Sequence, residues 1–305
     1  MLSSLTSLLQ LLAQNHESVR SIVTHNEHYN HWHIPLHVSL RAKAFLAQIH
    51  EFKINYNTPN NQTVGIYSNE QIPLESLATC LLCLEANLRV QLRFQNESPL
   101  ANWLFTEWLK LSPQLAEYIT LSSSSLTHCQ RIIVPAASPL KQLPGRSVFQ
   151  MPNTRAIAQL TGNETDEELM LLCSDIFTYF GRYELNVGLL LVPNDYNFVP
   201  LLRQAEAFND LRQINVYANH YEYQQFTLLL NLKQHLDNGV ILLRSDNQTV
   251  PKIGVLHHTP ISSLNSLPPH SQVYSNKGLL PHTQAFGSLA TTACWRNPQL
   301  LAFLK

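Results

Sequence analysis

Cys80 and Cys83 are spaced as C-x-x-C, the pattern of a zinc or dithiol site. They stand in a leucine-rich stretch with no second cysteine pair and no adjacent basic group, so they read as packing residues. His25, His28, His31, His33 and His37 invite a metal reading. Only His33 and His37 are spaced to share one helical face, and no cysteine or carboxylate cluster joins them, so no metal is expected. Cys173 falls on an apolar stripe with Leu169, Leu172 and Ile176 and reads as a buried thiol acting as a small hydrophobe. Two glutamates are better candidates for chemistry. Glu164, in T-G-N-E, stands at a helix start, where a carboxylate is favoured by the helix dipole. Glu184, in the loop between that helix and the next strand, is either a solvated loop residue or a hydrogen-bonding group in a ligand pocket.

Residues 160–193 must position both glutamates. Asn163 or Thr165 can cap a helix whose first turn carries Asp166, Glu167 and Glu168. Leu169, Leu172, Cys173, Ile176, Phe177 and Phe180 recur at helical spacing, and Gly181 suits a helix end. The run 187–192, closed by Pro193, reads as a buried strand. The unit is strand, turn, helix, loop, strand. Elsewhere helices are predicted over the start of the chain, 38–52, 72–85, 100–111, 113–119, 201–208 and 223–235. Strands are predicted over 64–67, 90–94, 131–134, 214–217, 240–244 and 253–257, with turn-rich breaks at 57–62 and 122–125. This alternation predicts an α/β fold with largely parallel sheets.

Charged residues are only 13% of the chain, about half the usual share, and the net charge is -1. There is thus no electrostatic case for nucleic acid or an anionic membrane. Glycine is scarce, at 9 residues, although glycine loops are what let backbone approach a pyrophosphate. Leu2, Leu5, Leu8, Leu9 and Leu12 share one helical face without a basic n-region, which reads as an amphipathic helix rather than a signal peptide. No membrane span is expected. Five cysteines, an odd number, point to a reducing compartment, the cytoplasm.

The order of several motifs resembles the acyl-CoA reductase (LuxC) family of the aldehyde dehydrogenase superfamily. They are L-T-G-N-E-T-x-E-E-L at 160–169, Y-F-G-x-x-x-x-N-V at 179–187 and V-P-x-x-Y-x-F at 192–198. Y-A-N-x-Y-x-Y at 217–223, D-N-G at 237–239, V-L-H at 255–257, N-x-W-x-x-P at 30–35, V-G-I at 64–66 and I-P-L at 72–74 continue the series. The resemblance implies two interlocked Rossmann-like domains: a helical segment 1–60, a cofactor-type domain 61–158 completed by 263–305, and a catalytic-type domain 159–262. The family reaction it implies is NADPH-dependent reduction of a fatty acyl thioester, on CoA or an acyl carrier, to an aldehyde.

In that family a cysteine takes the acyl group in Y-F-G-x-x-C-x-N-V, and here the position is Glu184. Asn186 keeps its place in the motif, and Glu164 falls where superfamily members carry a loop glutamate that often serves as general base. The basic residue that meets cofactor phosphate falls on Arg93, with Gln71 and Pro73 in the preceding turn. Glu70 and Gln71 replace a Gly-Asn pair, a proline-rich segment 135–144 replaces a Gly-Ser-rich one, and Thr283 replaces the glycine of P-x-G-Q-A. These losses together imply a degenerate site and a binding or partner subunit, with a protein partner or as a homo-oligomer. The alternative is an active fatty acyl-CoA reductase with a non-standard nucleophile.

Overall fold

A computed structural model describes residues 1–54, 62–123, 126, 128–136, 138, 144–263, 272–276, 283–293 and 296–305. The turn at 57–61, Ser124 and Ser125, most of the proline-rich segment and most of 262–281 lie outside the described residues. Two units divide the chain: Met1–Pro152 with Thr291–Lys305, and Asn153–Ala290.

The first unit opens with three helices, α1 (Leu2–Ala13), α2 (Glu17–Tyr29) and α3 (Pro35–Gln48). The leucine stripe of α1 is buried, as its spacing requires. A five-stranded sheet follows: β1 (Thr63–Ser68), α4 (Glu75–Glu85), β2 (Arg89–Phe94), α5 (Pro99–Leu111), β3 (Ile119–Leu121), β4 (Arg131–Val134) and β5 (Ser147–Gln150). All pairings are parallel, in the order β3-β2-β1-β4-β5. The helix expected at 113–119 is a short 3-10 turn, Pro113–Glu117, because Ile119 leaves it to pair with Val90. Strand β5 is an edge strand, only half-buried, and lacks the alternation that would have marked it.

The second unit contains β6 (Ala156–Gln159), α6 (Asp166–Phe177), β7 (Val187–Val192), α7 (Val199–Ala205) and α8 (Asn215–Leu230). It continues with β8 (Leu236–Asp237), β9 (Leu242–Ser245), β10 (Val255–Pro260) and β11 (Val273–Tyr274). A final helix, α9 (Pro298–Leu304), belongs to the first unit. The sheet order is β11-β6-β7-β10-β9-β8, parallel except at β8–β9. Every residue of β7 is buried, as expected of a central parallel strand.

Two expectations are overturned here. Residues 214–217 are not a strand: Tyr217, Tyr221 and Leu228 form the buried stripe of α8, and the Tyr217 hydroxyl donates to the Val240 carbonyl at 2.9 Å. A four-residue stretch is too short to decide between strand and helix, and packing decides it. The stretch expected to return to the first unit from 263 instead sends β11 into the second sheet, beside β6, and the return begins at Thr291. Among the described residues no helix is long and apolar enough to cross a membrane.

Candidate functional site

The order β3-β2-β1-β4-β5 places a topological switch at β1, whose carboxyl end opens on the turn 69–74 before α4. Ligands of open parallel sheets bind outside such strand ends, where helix N-termini offer free N–H groups. Here the protein supplies its own anion. Glu70, 2% exposed and with φ of 45°, turns its carboxylate onto the first turn of α4. Oε1 accepts from the Ser76 backbone N–H at 3.0 Å and from the Ser68 hydroxyl at 2.9 Å. Burial raises its carboxyl above the usual range, against these hydrogen bonds. Glu75 folds back to accept from the Gln71 N–H at 2.6 Å, and Pro73 is buried. Arg93, at the end of β2, lies over the Tyr67 ring at 5.4 Å and donates to the Tyr67 hydroxyl at 3.1 Å. Of the three positions expected to meet cofactor phosphate, Arg93 is turned to Tyr67, the Gln71 N–H is bound by Glu75, and Pro73 is buried. A phosphate at this helix end would have to displace a carboxylate, so the turn does not fit that part of a dinucleotide.

A cleft of about 510 Å³ lies over the ends of β2 and β3. Gln95, Asn96, Glu97, Asn102 and Ser122 give it amide, hydroxyl and carboxylate groups, with Phe94 and Leu121 beneath. Nothing in the motif reading pointed to it. The polar run Q-N-E directly after an alternating strand was the available signal.

In the second unit the expected helix start is confirmed, and its cap is Thr165. Its hydroxyl accepts from the Glu168 N–H at 3.2 Å while Glu168 accepts from the Thr165 N–H at 2.8 Å, a capping box. Glu164 is tied to the preceding loop, accepting from the Thr161 N–H at 2.5 Å, the Thr161 hydroxyl at 2.7 Å and the Gly162 N–H at 3.1 Å. Its charge helps, after burial, to raise the Tyr196 hydroxyl above the usual phenol range. Cys173 is buried in the core, and burial pushes its thiol up to about 12.

Helix α6 ends at Phe177, before Gly181, and Tyr179, Phe180 and Gly181 all take left-handed backbone, with φ of 54°, 58° and 69°. Two consecutive non-glycine residues in that region cost energy, of order 1–2 kcal/mol each, and need surroundings that impose it. Asn186, fully buried, supplies them. Its Nδ2 donates to the carbonyls of Asp175 and Thr178, both at 2.8 Å, and its Oδ1 accepts from the Tyr183 N–H at 2.8 Å. Arg155 donates from Nε to the Gly181 carbonyl at 2.9 Å. Asn186 thus ties down the helix end, a structural duty that a motif match alone does not reveal. Glu184 rides on this turn, half-buried, near enough to Tyr274 to help raise its hydroxyl after burial and Asp175. The buried Tyr274 hydroxyl finds no hydrogen-bond partner among the described residues.

Asp175, an acid within an apolar helix stripe, and Tyr274, a phenol in a polar stretch, were not foreseen. Asp175 accepts from the Gly287 N–H at 2.6 Å and the Leu289 N–H at 3.1 Å, and burial pushes its carboxyl up to about 7. The folded pKa lies above the unfolded one, so the folded protein holds a proton that the unfolded chain has released. Its stabilising contribution is complete below pH about 4 and is lost as pH rises to about 7. The expected result is a melting temperature that falls across that window and a flatter profile for Asp175→Asn. Identical slopes would assign the titration elsewhere.

The sequence matches no protein-family model and no curated protein. Solved structures do resemble it. An NAD-dependent benzaldehyde dehydrogenase from Corynebacterium glutamicum superposes with a TM-score of 0.59 at 11% identity, over 84% of this chain and 70% of that one. The chain has the aldehyde dehydrogenase fold. Aldehyde dehydrogenase 21 from Physcomitrella patens, solved with its product succinate, gives 0.57 at 10% identity over 90% and 73% of the two chains. An NADP-dependent glyceraldehyde-3-phosphate dehydrogenase from Bacillus halodurans gives 0.52 at 12% over 86% and 68%. The expected α/β architecture is thus that of the aldehyde dehydrogenases, and identity this low speaks for the fold alone.

Proposed function

We propose that this chain is a non-catalytic relative of the acyl-CoA reductases, a binding or partner subunit that uses the aldehyde dehydrogenase fold to hold an acyl thioester of CoA or an acyl carrier. The observation that carries this reading is Glu184 on the left-handed turn after α6. Transfer of an acyl group from a thioester to the enzyme needs a thiolate, and a carboxylate is a weak nucleophile toward a thioester. Among the described residues every cysteine is buried. Cys173, with its thiol near 12, is roughly one part in 10⁵ thiolate at neutral pH.

The cofactor half of the reaction is opposed independently. Glu70 occupies the N-terminus of α4, and Arg93 is turned to Tyr67, so this turn does not suit the phosphates of NADPH. What remains is the polar cleft over β2 and β3, which carries one carboxylate, Glu97. Its amides and hydroxyls suit an uncharged polar chain, which is what the pantetheine arm of such thioesters offers.

Thermal stabilisation and NADPH oxidation, measured with medium and long acyl-CoAs, test both halves. A thioester at 100 times its dissociation constant should add about 2.7 kcal/mol of stability, and Asn102→Leu should abolish the shift. NADPH should be consumed neither by the wild type nor by Glu184→Cys, because the cofactor turn is lost as well. Turnover by the wild type would establish an active reductase, and absence of any thioester shift would remove the ligand.

A further inference from the structure

The two ends of the first sheet carry opposite charge. At the carboxyl end Glu70 fills the turn after β1. At the amino end a second cavity, of about 240 Å³, lies at the starts of the neighbouring strands β1 and β4. Gln62, Thr63, His128, Gln130 and Arg131 line it, and among the described residues no carboxylate does. The thioester reading makes no use of it.

These side chains have little else to do. Among the described residues only Arg131 has a side-chain partner, its Nη1 donating to the Phe303 carbonyl at 3.2 Å. Most of its N–H donors are therefore left over, on a half-buried cation that no described carboxylate neutralises. Arg89 adds to the positive charge. It stands beside Thr63 in the register of β1 and β2, so both side chains leave the same face of the sheet. Its buried Nε has no partner among the described residues. Cations held this way carry a desolvation cost that a bound anion would offset.

We propose that this cavity binds the phosphate group of a small metabolite. The chemistry of the wall selects that group. An arginine fork takes two oxygens of an oxyanion, and a phosphate presents a third to His128 or Thr63, whereas a carboxylate has none to spare. The cavity is smaller than the ~300–1,000 Å³ of drug-sized sites, which leaves room for a few carbons beyond the phosphate. The carboxamides of Gln62 and Gln130 donate and accept, and so suit hydroxyls on that carbon body.

Isothermal titration calorimetry of the full chain at constant ionic strength tests this, with glycerol phosphate, inorganic phosphate and acetate as probes. At least one of the two phosphates should bind with a dissociation constant of about 1 mM or below, and the tighter one names the source of the group. Arg131→Gln should weaken binding by roughly tenfold or more, and Arg131→Lys should recover only part of the loss. Arg131 also holds Phe303, so His128→Ala and Thr63→Val, at side chains without protein partners, test the site apart from folding. Each should weaken binding severalfold, while Lys110→Gln, at an exposed cation on α5, should not. The inference is overturned if neither phosphate binds at about 10 mM, or if acetate binds as tightly. It is overturned equally if affinity is indifferent to both Arg131→Gln and His128→Ala.

Discussion

Gly188→Ala should leave little folded second unit, with a loss of at least ~3 kcal/mol, the upper range for a forced overpacking. Gly188 lies in β7, with β6 on one side and β10 on the other, and every residue of the strand is buried. A methyl group there would stand 2.2 Å from the Thr249 carbonyl oxygen, 2.7 Å from Pro251 Cδ and 2.8 Å from Arg155 Cβ. The first obstacle is backbone and the second a proline ring, so neither can swing aside. The third is the stem of the arginine that holds the Gly181 carbonyl, so any adjustment also loosens the turn carrying Glu184. Urea denaturation followed by circular dichroism measures the loss. A midpoint equal to the wild type would mean that the segment 249–251 yields freely.

The second large effect is expected at Asn186. Asn186→Ala removes the donor from the carbonyls of Asp175 and Thr178 and the acceptor from the Tyr183 N–H, all inside the protein. Each orphaned buried group costs ~1–3 kcal/mol, and their sum should approach 3 kcal/mol once water has reached part of the opened turn. The signature is local. Amide exchange should accelerate over 175–186, where the Asn186 side chain helps to hold the left-handed backbone of Tyr179 and Phe180. Asn186→Asp should be at least as damaging, since a carboxylate would face carbonyl oxygens. Uniform exchange with an unchanged midpoint would show that the turn is held by its flanks.

Much of this fold was legible in the residues. The leucine stripe of α1, the alternation of β2, the T-x-x-E cap of α6 and the closed apolar run of β7 each follow from local periodicity and capping chemistry. Residues 214–217 were misread because a strand's composition was overruled by packing of Tyr217 and Tyr221 along a helix. Strand β5 gave no pattern because an edge strand has no strictly buried face. The site was legible only as a list. Glu164 follows the carboxyl end of β6, whereas Glu184 and Asn186 precede the amino end of its parallel neighbour β7, and the bonds that occupy Glu164 and Asn186 run largely to backbone groups. Backbone partners leave no mark in side-chain identity. Asp175 and Tyr274 come together from positions about 100 residues apart, through the pairing of β11 with β6, and no local pattern encodes that.

The carboxylate of Glu70 has a consequence for selectivity. A group tethered two residues from β1 competes for the α4 terminus at an effective concentration of millimolar or above, without dilution and without depletion. A free phosphate or dicarboxylate with millimolar affinity for the bare helix end would gain at most a minor share of it. A small anion therefore meets a resident competitor at this end of the sheet, where an open parallel sheet would otherwise offer bare N–H groups.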